Sequence, residues 1–140
     1  MTVHDGTSRA RVERGSSERF VTLRKELGVT SFGINQLNLQ PGQRGRIHRH
    51  LRQEEVYLVL EGELTVSVEG VEDVLGVDEM LRVAPGLRRQ LINRSTAPVI
   101  LIALGGAGEH AGRDGEAFTS WDQEVGAPPQ EVPLPEDLPT

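Results

Sequence analysis

Between Phe20 and residue 104 the chain is a succession of short stretches rich in β-forming residues, punctuated by Gly, Pro and Asn turns and interrupted by no amphipathic helical period. ELTVSVEGVEDVL is the clearest of them. Leu64, Val66 and Val68 alternate with Thr65 and Ser67, and Glu69-Gly70 supplies a two-residue turn, so a hairpin is expected there. Upstream, RFVTLRKELGVTSFGINQLNLQPG offers two β-rich stretches split by ELG, with apolar residues at Phe32, Ile34, Leu37 and Leu39 before a QPG turn. RIHRH, EVYLVLEG, EMLRVAPG, LRRQLIN and APVILIALGG complete a set of seven to nine short strands. Short strands at even spacing without helices between them predict an all-β sandwich or barrel, for which a jelly roll is the usual closed form at this size. A length of 140 residues fits one domain with one core.

Texture changes at both ends divide the chain into an N-terminal arm at 1–18, a barrel at 19–104 and an acidic, Gly/Pro-rich C-terminal extension at 105–140. The arm is polar and is expected to be loose. For the extension the residues predict a short helix around Glu116 to Glu124, with Phe118 and Trp121 as anchors on the barrel or on a neighbouring subunit, and disorder over the final ten residues.

Charge follows the same division. Residues 1–52 carry ten Lys or Arg against four acids, whereas residues 105–140 carry one Arg against eight acids, for a net charge of −6. The basic residues form no run interleaved with aromatics and the tail would repel phosphates, which argues against a nucleic-acid partner. No stretch approaches the roughly 20 apolar residues of a membrane span and the first residues hold no apolar run, so a cytoplasmic protein without membrane association is expected. With no cysteine in the chain, disulfides, iron–sulfur clusters and thiol nucleophiles are excluded, and any metal must be held by His and carboxylate. No Gly-x-Ser-x-Gly, phosphate-binding Gly loop or dinucleotide fingerprint is present, and no organic cofactor is expected.

The stretch RIHRHLRQEEVYLVLEG concentrates the chemistry. Positions two apart on a strand face the same way, so His48 and His50 project together, with Arg44 and Arg46 sharing their parity. A glutamate five residues further on completes a 2-His-1-carboxylate set, which suits Fe(II), Mn(II), Ni(II) or Zn(II) and leaves coordination positions open. Glu55 shares a face with Tyr57 and Val59, and Glu54 shares the other with Val56, Leu58 and Leu60. Both faces are apolar, so alternation alone does not decide which glutamate points inward.

Gly42, QRGRI, His48, Arg49, His50, LRQE, Glu55, VYLVLE and Gly62 fill, without a gap, a pattern of glycine, five residues, His-x-His, four residues, Glu, six residues and glycine. In this the chain resembles the cupins, over roughly residues 20–104. The resemblance implies a double-stranded β-helix, the jelly-roll barrel of that family, and a divalent metal held by His48, His50 and Glu55. The family's second motif is matched less fully, by VDEMLRVAPGLRRQLIN. With Pro85, Gly86 and Asn93 in register, Asp78 stands where the family has Gly, Glu79 where it has Asp, Ala84 at the first proline, and Arg89 where a fourth ligand, His, is usual.

Arginine has no lone pair to donate, so Arg89 is no ligand. Either a metal persists on three ligands and Arg89 holds an anionic substrate by a bidentate contact, or Arg89 pairs with Glu55 across the barrel and takes the metal's place. Alternation points Arg46 toward the same cavity as a further substrate-binding cation, and Tyr57 as a wall of it. Arg49, Arg52 and Arg88 read as solvated loop residues, Gln90 as structural, and His4 and His110 as exposed.

Proteins that resemble this chain include dioxygenases, isomerases, decarboxylases, lyases and plain binding domains. The leading expectation is a metal-dependent cupin enzyme acting on an anionic, oxygen-bearing small molecule. The alternatives are a non-catalytic small-molecule binding or sensing module, with Arg89 replacing the metal, and a metal-free isomerase or epimerase with His48 or His50 as general base. Exposed edge strands suggest a homodimer, which light scattering would test.

Overall fold

Period-two alternation becomes ten strands, with one five-residue α-helix and a short 3-10 turn at Pro129–Glu131, among the described residues, which are 5–106 and 114–139 of the computed structural model. In chain order these are β1 (Phe20–Val21), α1 (Leu23–Leu27), β2 (Gly33–Leu39), β3 (Ile47–His50), β4 (Glu54–Glu61), β5 (Leu64–Val68), β6 (Val71–Leu75), β7 (Met80–Val83), β8 (Arg89–Ile92), β9 (Val99–Gly106) and β10 (Gly115–Phe118). They form two antiparallel five-stranded sheets, ordered β1-β2-β9-β4-β7 and β10-β3-β8-β5-β6. Non-consecutive neighbours such as β2-β9 and β3-β8 are the crossovers of a jelly roll. The expected hairpin is β5–β6, with Val68 opposite Val71 and with Glu69 at φ 49° and Gly70 at φ 84°, the left-handed pair a two-residue turn requires.

The core lies between the sheets. Val59, Leu64, Val66, Val99 and Leu101 are fully buried there, with Leu39, Tyr57, Val83 and Leu91 beside them. The outer face of the first sheet is apolar as well. Ile34, Leu58, Leu60, Ile102 and Leu104 pack there with Val12, Val21 and Leu23 from the arm and α1. This second layer corrects the expectation of a loose arm. The Glu13 N–H donates to Gln36 Oε1 at 2.8 Å, Gln36 Nε2 returns a bond to the Glu13 carbonyl, and Asn38 Nδ2 donates to the Glu18 carbonyl. Gln36 and Asn38 are buried, and their amides satisfy the arm's backbone where it crosses the sheet.

The extension also differs from expectation. Glu116–Phe118 lies in a strand, β10, where a helix was expected, and pairs with β3 from Gly115 opposite His50 to Phe118 opposite Ile47. Arg49 and Arg88 decide this, and neither is the solvated loop residue its position suggested. Arg49 meets Glu116 at 2.7 Å, and both guanidinium groups lie 5.5 Å from the centre of the buried Phe118 ring. Arg88 also donates to the Trp121 and Gln123 carbonyls and lies 5.9 Å from the Trp121 ring. Within 131–139, where disorder was expected, the extension holds hydrogen bonds to the barrel, among them Leu138 N–H to the Gly42 carbonyl at 2.7 Å. His4 and His110 lie outside the described residues.

Gly62 closes the first motif at φ 81°, and a Cβ built there would stand 2.3 Å from the Pro98 carbonyl oxygen. That oxygen is backbone leading into buried β9, so it has little room to retreat. Gly62→Ala is expected to cost roughly 2–4 kcal/mol, the sum of left-handed strain and overpacking. A urea midpoint unchanged from wild type would contradict this.

Candidate metal centre

β3 and β4 present the three expected ligands to one point. His48 and His50 share the inward face of β3, and Glu55 shares the inward face of β4 with Tyr57 and Val59, while Glu54 points outward and pairs with Arg82 at 2.5 Å. The turn after Pro85 anchors β3 from one side, through the Gly86 N–H and the His50 carbonyl at 2.8 Å. Asn93 anchors its approach from the other. Its buried side chain donates to the Leu39 and Ala97 carbonyls, and its own backbone pairs with Gly42 and Gln43. Asp78, where the family has glycine, takes φ 71°, a left-handed conformation that Asp tolerates better than most residues.

One potential ligand atom from each of His48, His50 and Glu55 falls within 4.8 Å of the other two. His50 Nε2 is 3.3 Å from Glu55 Oε2, and His48 Nε2 is 3.9 Å from Glu55 Oε1. His48 Nδ1 lies 3.1 Å from the Arg46 carbonyl, a partner for a proton on Nδ1 that would orient the ring and free Nε2 for a metal ion. The buried Nδ1 of His50 has no such partner. Tyr57 donates its hydroxyl hydrogen to Glu55 Oε1 and so orients the carboxylate.

Burial pushes the Glu55 carboxyl up, but hydrogen bonds and charge from His48 and His50 outweigh it and hold the group well below the usual carboxylate range. The Tyr57 phenol is pushed well above its ordinary value, first by burial and then by the Glu55 charge, with Arg89 opposing. Tyr57 is therefore a permanent donor at neutral pH. The donor set, its mutual spacing and the oriented carboxylate fit a divalent ion.

Arg89 stands opposite His48 in the β3–β8 register and is fully buried. It forms no ion pair with Glu55. Its guanidinium makes one long hydrogen bond, from Nη2 to the Ala84 carbonyl at 3.5 Å, while Nε and Nη1 are buried without a partner. Nor is it among the residues that line the cavity. As the cross-strand partner of His48 it projects from the same face, and it is close enough to Tyr57 to act on its hydroxyl through charge.

The cavity in front of the cluster has a volume of about 580 Å³. His48, His50, Glu55, Tyr57 and Arg46 all line it, as do Leu37, Leu39, Leu91 and Ala103. Arg46 also donates to the Val132 carbonyl of the extension at 2.5 Å. Sequence reasoning missed Asn35, Gln53 and Gly105 on this wall. Asn35 has the parity of Leu37 and Leu39, which could have revealed it. Gly105, opposite Glu55 on β9, leaves space that a Cβ would take at 3.3 Å from Gln53 Oε1 and 3.6 Å from Glu55 Oε2.

The model of the cupin domain matches residues 35–105. The chain is 32% identical over 89 residues to the tetracenomycin polyketide synthase protein TcmJ of Streptomyces glaucescens, a match covering 64% of this chain and 60% of that protein's length. A cupin protein from Bacteroides fragilis superimposes with a TM-score of 0.67 at 23% identity, covering 87% of this chain and 98% of that one. A sugar phosphate isomerase of the cupin superfamily from Silicibacter pomeroyi does so with a TM-score of 0.63 at 23% identity, over 72% of this chain and 65% of that one. At such identities the structures share a fold and no more. The family model spans half of the chain and the motif residues converge in space, so this chain is a member of the cupin family.

Proposed function

We propose that the barrel binds one divalent metal through His48, His50 and Glu55 and acts on a small, anionic, oxygen-bearing molecule. The observation that carries this reading is the convergence of three ligand atoms within 4.8 Å, with no ion pair between Arg89 and Glu55 to close the site. Had Arg89 taken the metal's place, its guanidinium would satisfy the carboxylate directly.

A divalent ion held there would supply Lewis-acid polarisation of a ligand oxygen, or O2 activation were it iron, at positions the three residues leave open. The chain's own groups set the rest. Tyr57 holds the Glu55 carboxylate in one orientation, and Leu37, Leu39, Leu91 and Ala103 keep the inner cavity apolar. Two neutral imidazoles and one carboxylate offset only half of a dication's charge, and the buried Arg89 adds to the excess. An anionic ligand relieves that excess, and Arg46 stands on the wall to meet it. This set supports oxygenase, isomerase or lyase chemistry.

The test is elemental analysis of protein purified without a histidine tag. It is followed by turnover assays on hydroxy acids, keto acids and catechols, with and without Fe(II), Mn(II) or Ni(II). Near-stoichiometric metal, and turnover lost on chelation and restored by one of these ions, are expected. Metal that stays far below one equivalent after reconstitution would sink the reading. Turnover surviving chelation but lost in His48→Ala would assign the chemistry to an imidazole base, and tight binding without turnover would make the protein a sensor.

A further inference from the structure

The cavity carries more positive charge than the two motifs account for. Beside Arg46, its lining includes Arg19, Arg24 and Lys25, all from the β1–α1 segment, against Glu55 as the single carboxylate. In a chain of net charge −6 this is a local reversal of sign. Two of the four cations are occupied by the extension: Arg19 Nη2 lies 3.4 Å from Asp137, and Arg46 donates to the Val132 carbonyl. The side chains of Arg24 and Lys25 make no hydrogen bond or ion pair among the described residues. Asn35, on the same wall, holds a buried Oδ1 that no donor meets. A buried acceptor left without a donor on a cavity-lining residue is a place for a hydroxyl that the protein itself does not supply.

These groups stand on a different part of the wall from the metal ligands. β1 and α1 flank β2 at one edge of the first sheet, whereas the His/His/Glu cluster belongs to β3 and β4. A volume of about 580 Å³ lies within the range of small-molecule sites and accommodates a ligand long enough to reach both.

We propose that Arg24 and Lys25 form a second anion subsite at the cavity mouth. The ligand is then a hydroxylated small molecule with an oxygen-bearing end at the metal cluster and a phosphate or carboxylate at the mouth, its middle hydroxyl meeting Asn35. The inner end of this assignment rests on the metal reading above; the outer end does not.

Titration calorimetry of the chelated, full-length protein at low salt, with inorganic phosphate in one arm and malonate in the other, tests it. Saturable binding that weakens steeply with salt is expected, with Kd raised roughly tenfold in Arg24→Ser/Lys25→Ser. That variant should keep its wild-type circular dichroism and metal content. Tighter phosphate than malonate binding assigns a phosphoryl group and the reverse a carboxylate; either supports the subsite. Absence of saturable binding to both anions, or equal affinity in the wild type and the double variant, overturns it. His48→Ala/His50→Ala should bind these anions as the wild type does, so loss of the metal reading would leave this result standing.

Discussion

Replacing His48 and His50 together by alanine is expected to take bound metal from near one equivalent per chain to background while leaving the barrel folded. Both imidazoles are about one-fifth exposed, at 23% and 20% of the side chain, and neither belongs to the apolar core. Their loss removes two of three ligands, and a lone carboxylate does not hold a transition ion at micromolar concentration. Metal content equal in wild type and variant would defeat the assignment of the site. The variant should also invert a pH dependence measurable in chelated protein. In the wild type Glu55 titrates below its unfolded value, so it contributes stability through neutral pH that is lost only as pH falls through the low folded value. Without the histidines the largest influence left on the carboxyl is burial, which raises it. Folded protein then binds the proton more tightly than unfolded chain does, and stability falls as pH rises through the ordinary carboxylate range. Urea midpoints at pH 4 and pH 7 read this difference directly, and a variant no less stable at pH 7 than at pH 4 would contradict it.

Arg89→Met is expected to stabilise the metal-free protein by roughly 1–3 kcal/mol, an unusual sign for a fully buried substitution. Desolvating a guanidinium costs several kcal/mol, and here the return is one hydrogen bond of 3.5 Å with two nitrogens left unpartnered. Methionine follows much of the same volume and adapts to the site. Removing a cation from beside a dication should also tighten metal binding, on the order of tenfold. The cost falls on ligand capture, because the excess charge that favours an anion is reduced. A lower urea midpoint in Arg89→Met would show that long-range attraction between Arg89 and the Glu55 carboxylate outweighs the desolvation. Metal affinity left unchanged would show that the arginine's charge does not reach the site.

Much of this architecture is written in local pattern. The β5–β6 hairpin follows from alternation and a two-residue turn, because its partners are adjacent in sequence. Strand parity puts His48 and His50 on one face, whereas the inward choice of Glu55 over Glu54 follows from the family motif and not from alternation. Ile34 and Leu37 illustrate where such reading thins out. They differ in parity, and only the second apolar layer formed by the arm explains why Ile34 faces outward and Leu37 inward. The extension was misread for a related reason. Glu116–Phe118 carries no alternation long enough to declare a strand, and its conformation is set by β3 and by two arginines, Arg49 and Arg88, distant in sequence.

By itself, then, the amino-acid sequence determined the class of fold and the shared facing of His48 and His50, which depend on spacing within a few residues, whereas Glu55 as the inward carboxylate and Arg89 at the fourth corner were given only by the register of the family motifs. Tertiary structure alone decided that Arg89 is buried without an ion pair to Glu55, that the extension reaches Arg46, and that Arg24 and Lys25 join the cavity from the β1–α1 segment. Those outcomes depend on which surfaces meet across the sandwich. Contacts between residues tens of positions apart are selected by the packing of whole sheets, and no local period records them.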